Sequence, residues 1–171
     1  MDATIQGRVY KFGDNINSDI IIPGRYLIYI DAVKLSQHAF EVLGEAFPAK
    51  LRDFQILVAG RNFGCGSARE QAATAIQGLG IKAVVACSFA RTFYRNAIND
   101  GLPIIECPDL YPAVQEGDSL RIDLGSSTIY HGDKAYAFPR LPDSVRQILE
   151  LGGLAAYLKA QLQAAPQITV K

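Results

Sequence analysis

Residues 60–71 read GRNFGCGSAREQ and hold the densest chemistry in the chain. Three glycines lie between the apolar run FQILVA and a stretch of helical periodicity. A glycine loop that joins a strand to a helix N-terminus turns backbone N–H groups outward, and the helix dipole there favours negative charge. The loop is therefore a candidate anion site. Two familiar forms are excluded. Arg69 stands where the dinucleotide fingerprint needs Gly or Ala, and no Gly-Lys-Ser/Thr is present for a Walker-type loop. Within the loop Ser67 offers a hydroxyl, and Arg69 offers a planar fork suited to a carboxylate. Ser67-x-x-Glu70 equally fits a capping box, in which the serine only satisfies a backbone N–H. Spacing alone leaves both readings open.

The other polar clusters are less pointed. RTFYRN at 91–96 puts Arg91 and Arg95 on one helix face, either as a solvated basic face or as a grip on an anion. DNINSD at 14–19 has the composition of a turn built on Asx side chains and lacks the Gly and Glu of an EF-hand loop. His38 and His131 read as helix-surface and turn residues, and two histidines cannot make a three-His metal site. Cys65 lies in the glycine loop with no base beside it, which suits a bystander thiol. Cys65, Cys87 and Cys107 are an odd count at wide spacing, so neither a disulfide framework nor a zinc pattern follows, and the compartment should be reducing.

These residues need a scaffold. The chain has 171 residues, 49% hydrophobic and 20% charged, which suits one compact domain over 1–163 with a loosely held tail at 164–171. Basic and acidic residues balance at 17 each, so there is no electrostatic footprint for nucleic acid. No signal peptide opens the chain and no apolar run approaches the ~20 residues of a membrane span, so a cytoplasmic protein is expected. Strand character at 4–12 is followed by the apolar segment 26–30, which can be a core strand. Asp31 can cap a helix with apolar positions Val33, Leu35, Ala39, Phe40 and Leu43, closed by Gly44. The runs 54–59 and 83–87 are short and continuously apolar, as in strands covered on both faces. With the helix predicted over 67–79 between them they form a βαβ unit. A helix at 89–99 and a strand at 104–106 follow. A hairpin flanks His131-Gly132-Asp133, and two helices lie at 142–151 and 154–162. The expected fold is α/β, a small, mostly parallel sheet flanked by helices with a β-rich C-terminal extension.

GRNFGCGSAREQA, FARTFYRNAINDG and DNINSDIIIP together resemble the small subunits of 3-isopropylmalate dehydratase, the stand-alone counterpart of the swivelling C-terminal domain of aconitase. The resemblance spans roughly residues 7–123. It implies a hydro-lyase that interconverts 2- and 3-isopropylmalate through isopropylmaleate, a step in leucine biosynthesis. It also implies a separate large subunit whose [4Fe–4S] cluster acts as a Lewis acid on this hydroxy-dicarboxylate substrate, with no cofactor or metal on this chain. Ser67 matches the catalytic base, Asp19 an acidic catalytic position, Arg69 the arginine that holds a substrate carboxylate, and Gly66 the loop backbone beside it. Ala68 departs from relatives that read Ser-Ser-Arg, which removes one possible carboxylate donor. Ile28 matches the position that reads the substrate's variable group: aliphatic for isopropylmalate, arginine in homoaconitase-type relatives. The alternatives are a homoaconitase or other alkyl-malate dehydratase subunit and, from another class, a non-catalytic anion-binding module.

Overall fold

The computed structural model describes residues 4–164. Strands β1 (Thr4–Lys11), β2 (Ile56–Ala59), β3 (Ala83–Ala86) and β4 (Ile104–Glu106) run parallel, and β5 (Ser119–Asp123), β6 (Thr128–His131) and β7 (Lys134–Ala137) continue the sheet antiparallel. The order is β4-β3-β2-β1-β5-β6-β7, so the β-rich extension belongs to the same sheet as the parallel half. Register sorts the side chains into two cores. Val9, Ile56 and Ala83 form one row on one face, and Tyr10, Leu57, Val84 and Ile104 form the next row on the other. Every residue of β2 and β3 is buried, which is why neither strand alternates in hydropathy.

Helices α4 (Glu70–Gly78) and α5 (Arg91–Asn99) cover the Tyr10 face through Ala72, Ala75, Ile76, Phe93, Ala97 and Ile98. Leu110, Val114 and Phe138 close the Val9 face. Among the described residues the other α-helices are α1 (Ser18–Ile21), α2 (Ala32–Ser36), α3 (Phe47–Leu51), α6 (Asp143–Glu150) and α7 (Leu154–Ala164). No helix is long and apolar enough to cross a membrane among the described residues.

Three expectations need correction. The helix predicted from Val33 to Leu43 is interrupted after Ser36 and resumes only as a 3-10 turn over Glu41–Leu43. Phe40 adopts φ 60° between them, because its ring must stack on Phe12 while its N–H donates to the Ile21 carbonyl. The segment 26–30 is not a strand. A 3-10 turn over Gly24–Tyr26 opens it, and Ile28 and Ile30 stand 80% and 88% exposed. The helix predicted to begin at Ser67 begins at Glu70. Of the expected tail, Ala164 ends α7, and 165–171 lie outside the described residues.

Candidate active site

The clusters at 14–19 and 60–71 follow the carboxyl ends of parallel strands, as does the segment 87–90 that leads into the cluster at 91–96, and open α/β sheets place their ligands at this end. The loop after β2 is laced to both neighbours by backbone hydrogen bonds. Gly64 N–H donates to the Ile16 carbonyl at 2.8 Å, Ser18 N–H to Cys65 at 2.7 Å, and Phe63 N–H to Ser88 at 3.0 Å. Asn15 and Asn62, both with positive φ, join through their side chains at 3.0 Å. All three loop glycines stand at close approach, Gly64 against the Phe93 ring. A Cβ on Gly60 would stand 1.9 Å from Asp14 Oδ1, and one on Gly66, at φ 89°, 2.8 Å from Asn17 Oδ1.

This lacing explains the late start of α4. Gly66 turns the chain in the left-handed region, and Arg69 is extended at φ −123° and ψ 113°, occupying the cap position itself. Ser67 therefore lies ahead of the helix on an exposed bend, and the capping box with Glu70 is not formed. No side-chain cap bond is made at the start of α4 or of α5 among the described residues. Two helix N-termini with free N–H groups thus face the same end of the sheet.

Arg69 is the anchor. Its side chain is only 13% exposed, with Nη1 donating to the Ile22 carbonyl at 2.8 Å and Nη2 paired with Asp19 Oδ1 at 2.5 Å. Guanidinium has five donors, and these two contacts leave three without a protein partner among the described residues. Asp19, 55% exposed, is held in turn by the Asx turn expected at 14–19: Asn17 Oδ1 accepts from the Asp19 N–H at 2.7 Å. Ser18 completes the frame and was missed in the sequence. It is buried, and its hydroxyl donates to the Ser67 carbonyl at 2.8 Å. A serine inside an Asx turn gives no sign of such a long-range partner. The structure thus brings Asp19, Gly66, Ser67 and Arg69 together, with Ser67's hydroxyl exposed.

Ile28 lies on the exposed segment between Ile22 and Asp31, tied to the site where Gln71 Nε2 donates to the Leu27 carbonyl at 3.3 Å. Arg91 and Arg95 are exposed on α5. Cys65 and Cys87 are partly buried and Cys107 is buried; burial pushes the Cys87 and Cys107 thiols up. Among the described residues no group of three or more His, Cys, Asp or Glu side chains could hold a metal ion. His131 pairs with Asp118 at 3.0 Å. A groove of about 480 Å³ lies at the opposite end of the strands beside Gln6 and Lys82, and no cluster of reactive groups lines it.

Comparison with known proteins identifies the family and the fold. Residues 14–109 match the family described as the aconitase C-terminal domain. The 3-isopropylmalate dehydratase small subunit of Thermodesulfovibrio yellowstonii is 46% identical over 92% of this chain and 95% of its own. That of Pyrobaculum calidifontis is 49% identical over 91% and 97%. The isopropylmalate/citramalate isomerase small subunit of Methanocaldococcus jannaschii is 44% identical over 95% and 98%. A crystal structure of 3-isopropylmalate dehydratase from the same organism superposes with a TM-score of 0.86 at 44% identity, covering 94% of this chain and 96% of that one. The chain belongs to the aconitase C-terminal domain family, among the small subunits of 3-isopropylmalate dehydratase.

Proposed function

We propose that this chain is the small subunit of a 3-isopropylmalate dehydratase and acts, as one swivel-type domain, on a large subunit that carries the [4Fe–4S] cluster. The observation that carries the reading is Ser67: a hydroxyl with no capping duty, on a bend ahead of the free N–H groups of α4. As the base it takes the proton from the substrate carbon next to the one that loses hydroxide. The adjacent N–H groups and the Arg69 guanidinium favour its anionic form. Arg69, clamped by Asp19 and Ile22, presents its remaining donors to a substrate carboxylate. Gly66 lets the backbone approach that carboxylate without a side chain in between.

An exposed base cannot exclude water by itself, so the site is one half of a cleft that a partner surface closes. Ile28 selects the substrate's variable group. An aliphatic side chain buries a branched alkyl group, worth ~0.8 kcal/mol per methylene, and leaves a second carboxylate without a partner. The name of the Methanocaldococcus relative covers both isopropylmalate and citramalate, which differ only in the size of that alkyl group.

The test is reconstitution with the cluster-bearing large subunit and a panel of isopropylmalate, citramalate and homoaconitate. The complex should turn over the alkyl-malates and the isolated chain none of them. Ile28→Arg should move kcat/KM toward homoaconitate by ~10–200-fold. Preference of the wild-type complex for homoaconitate would overturn the assignment.

A further inference from the structure

The segment that carries Ile28 is exposed, short and made largely of turns, yet one side of it is pinned. Tyr26 lies flat on the His38 ring, with centroids 3.7 Å apart and planes 7° from parallel. Tyr29 extends the stack to the other tyrosine, and its centroid is 6.4 Å from that of His38. His38 Nδ1 is 2.8 Å from Glu41 Oε2, while the other oxygen of Glu41 accepts from Arg25. Arg25 also sits over the Tyr26 ring at 4.8 Å, and Lys34 over Tyr29 at 5.7 Å. The imidazole, together with the Arg25–Glu41 pair, thus joins the turn before Ile28 to the 3-10 turn over Glu41–Leu43, and it is the one link that also stacks on the Tyr26 ring. Phe40 opens that second turn with a left-handed backbone and a ring sealed in the core, and Glu41 next to it meets the histidine at Nδ1. Burial pushes the Glu41 carboxyl up, but hydrogen bonds with Tyr26, His38 and Arg25 hold it below its ordinary value.

A surface histidine needs none of this. Flat stacking of this kind orders side chains and loses their rotamer freedom, so it demands a return elsewhere. The only unsupported side chain between the two pinned tyrosines with a proposed task is Ile28. We infer that His38 is a positioning residue: stacked on Tyr26 and held by Glu41, it fixes the segment that presents Ile28 to the substrate's alkyl group. This rests on the reading of Ile28 as the selector. Without the imidazole the segment samples other conformations, and the alkyl subsite is correctly formed only part of the time. Affinity for a branched alkyl-malate falls by that fraction, while the base, Arg69 and the chemical step are untouched.

The experiment uses the reconstituted complex with His38→Ala, His38→Phe and Ile28→Arg. In His38→Ala, KM for isopropylmalate should rise roughly tenfold with kcat within about twofold, so its preference over homoaconitate falls by the same factor. His38→Phe keeps the stack without the Glu41 bond and should recover most of the loss. Trypsin should cut after Arg25 faster in His38→Ala than in wild type, at an unchanged thermal midpoint. If Ile28→Arg shifts the preference and His38→Ala does not, the positioning role is overturned and the selector stands. If neither shifts it, the selector reading fails and takes the positioning role with it. Loss of kcat together with a lowered thermal midpoint in His38→Ala would also overturn the inference, because that is the mark of a fold contact.

Discussion

Ser67→Ala deletes one hydroxyl, and the structure separates its two conceivable costs. The side chain is exposed, caps nothing, and its carbonyl remains held by Ser18 Oγ. Its removal is thus an ordinary surface change, within about 0.5 kcal/mol of neutral. A true capping serine would cost ~1 kcal/mol. Loss of a positioned base lowers turnover by about 10²–10⁴, or about 3–5 kcal/mol of barrier. The effect on rate should therefore exceed the effect on stability several-fold in energy. Urea unfolding of the chain gives the first number, and kcat of the reconstituted complex gives the second. KM should stay near wild type, since Arg69 and its partners are unchanged. Turnover within about threefold of wild type would remove Ser67 as the base. A stability loss above ~1 kcal/mol would restore the capping role.

Arg69→Lys cannot serve the Ile22 carbonyl, Asp19 and a substrate carboxylate at once, so KM in the complex should rise by at least roughly tenfold; unchanged KM refutes this. Gly66→Ala forces a side chain into φ 89° and against Asn17, which should cost ~1–3 kcal/mol in urea unfolding and impair turnover. An equally stable, fully active variant would refute the close-approach argument. Burial raises the Asp100 carboxyl above its ordinary 3.8, against a hydrogen bond from Thr74. A raised acid withdraws stability as pH climbs from its unfolded to its folded value, so Asp100→Asn should stabilise the chain at pH 7 and make no difference below 3.8. Urea midpoints at the two pH values check it, and a lower midpoint at pH 7 refutes it.

The parallel half of the sheet was legible because its cues are local. The runs ending at Ala59 and Ala86 are short, apolar on both faces and closed by glycine or helix signals. The site residues were legible as a cluster through their resemblance to a family, but their geometry was not. Ser67 leaves the helix because Gly66 is turned and the loop is tied to residues 16–18, which lie far away in sequence. Phe40 breaks a helical pattern that its own side chain helped to suggest, because the stack on Phe12 outweighs local propensity. The apolar segment around Ile28 looked like core because composition cannot distinguish an apolar residue that packs from one that the turns leave exposed.

β1 is hydrogen-bonded to the parallel half through β2 and to the antiparallel half through β5, and this has a consequence for how the chain is made. During synthesis β1 emerges with both edges bare. One edge waits for Ile56, and the other waits until Leu120 has left the ribosome to pair with Gly7. At ~5–20 residues per second the second edge stays open for on the order of ten seconds. An unpaired edge invites pairing with another chain, and Arg8 and Lys11 within β1 are the charges that discourage it. Deleting β1 would not trim this sheet; it would cut the sheet in two and leave a nascent parallel half and a nascent meander with no strand to pair them.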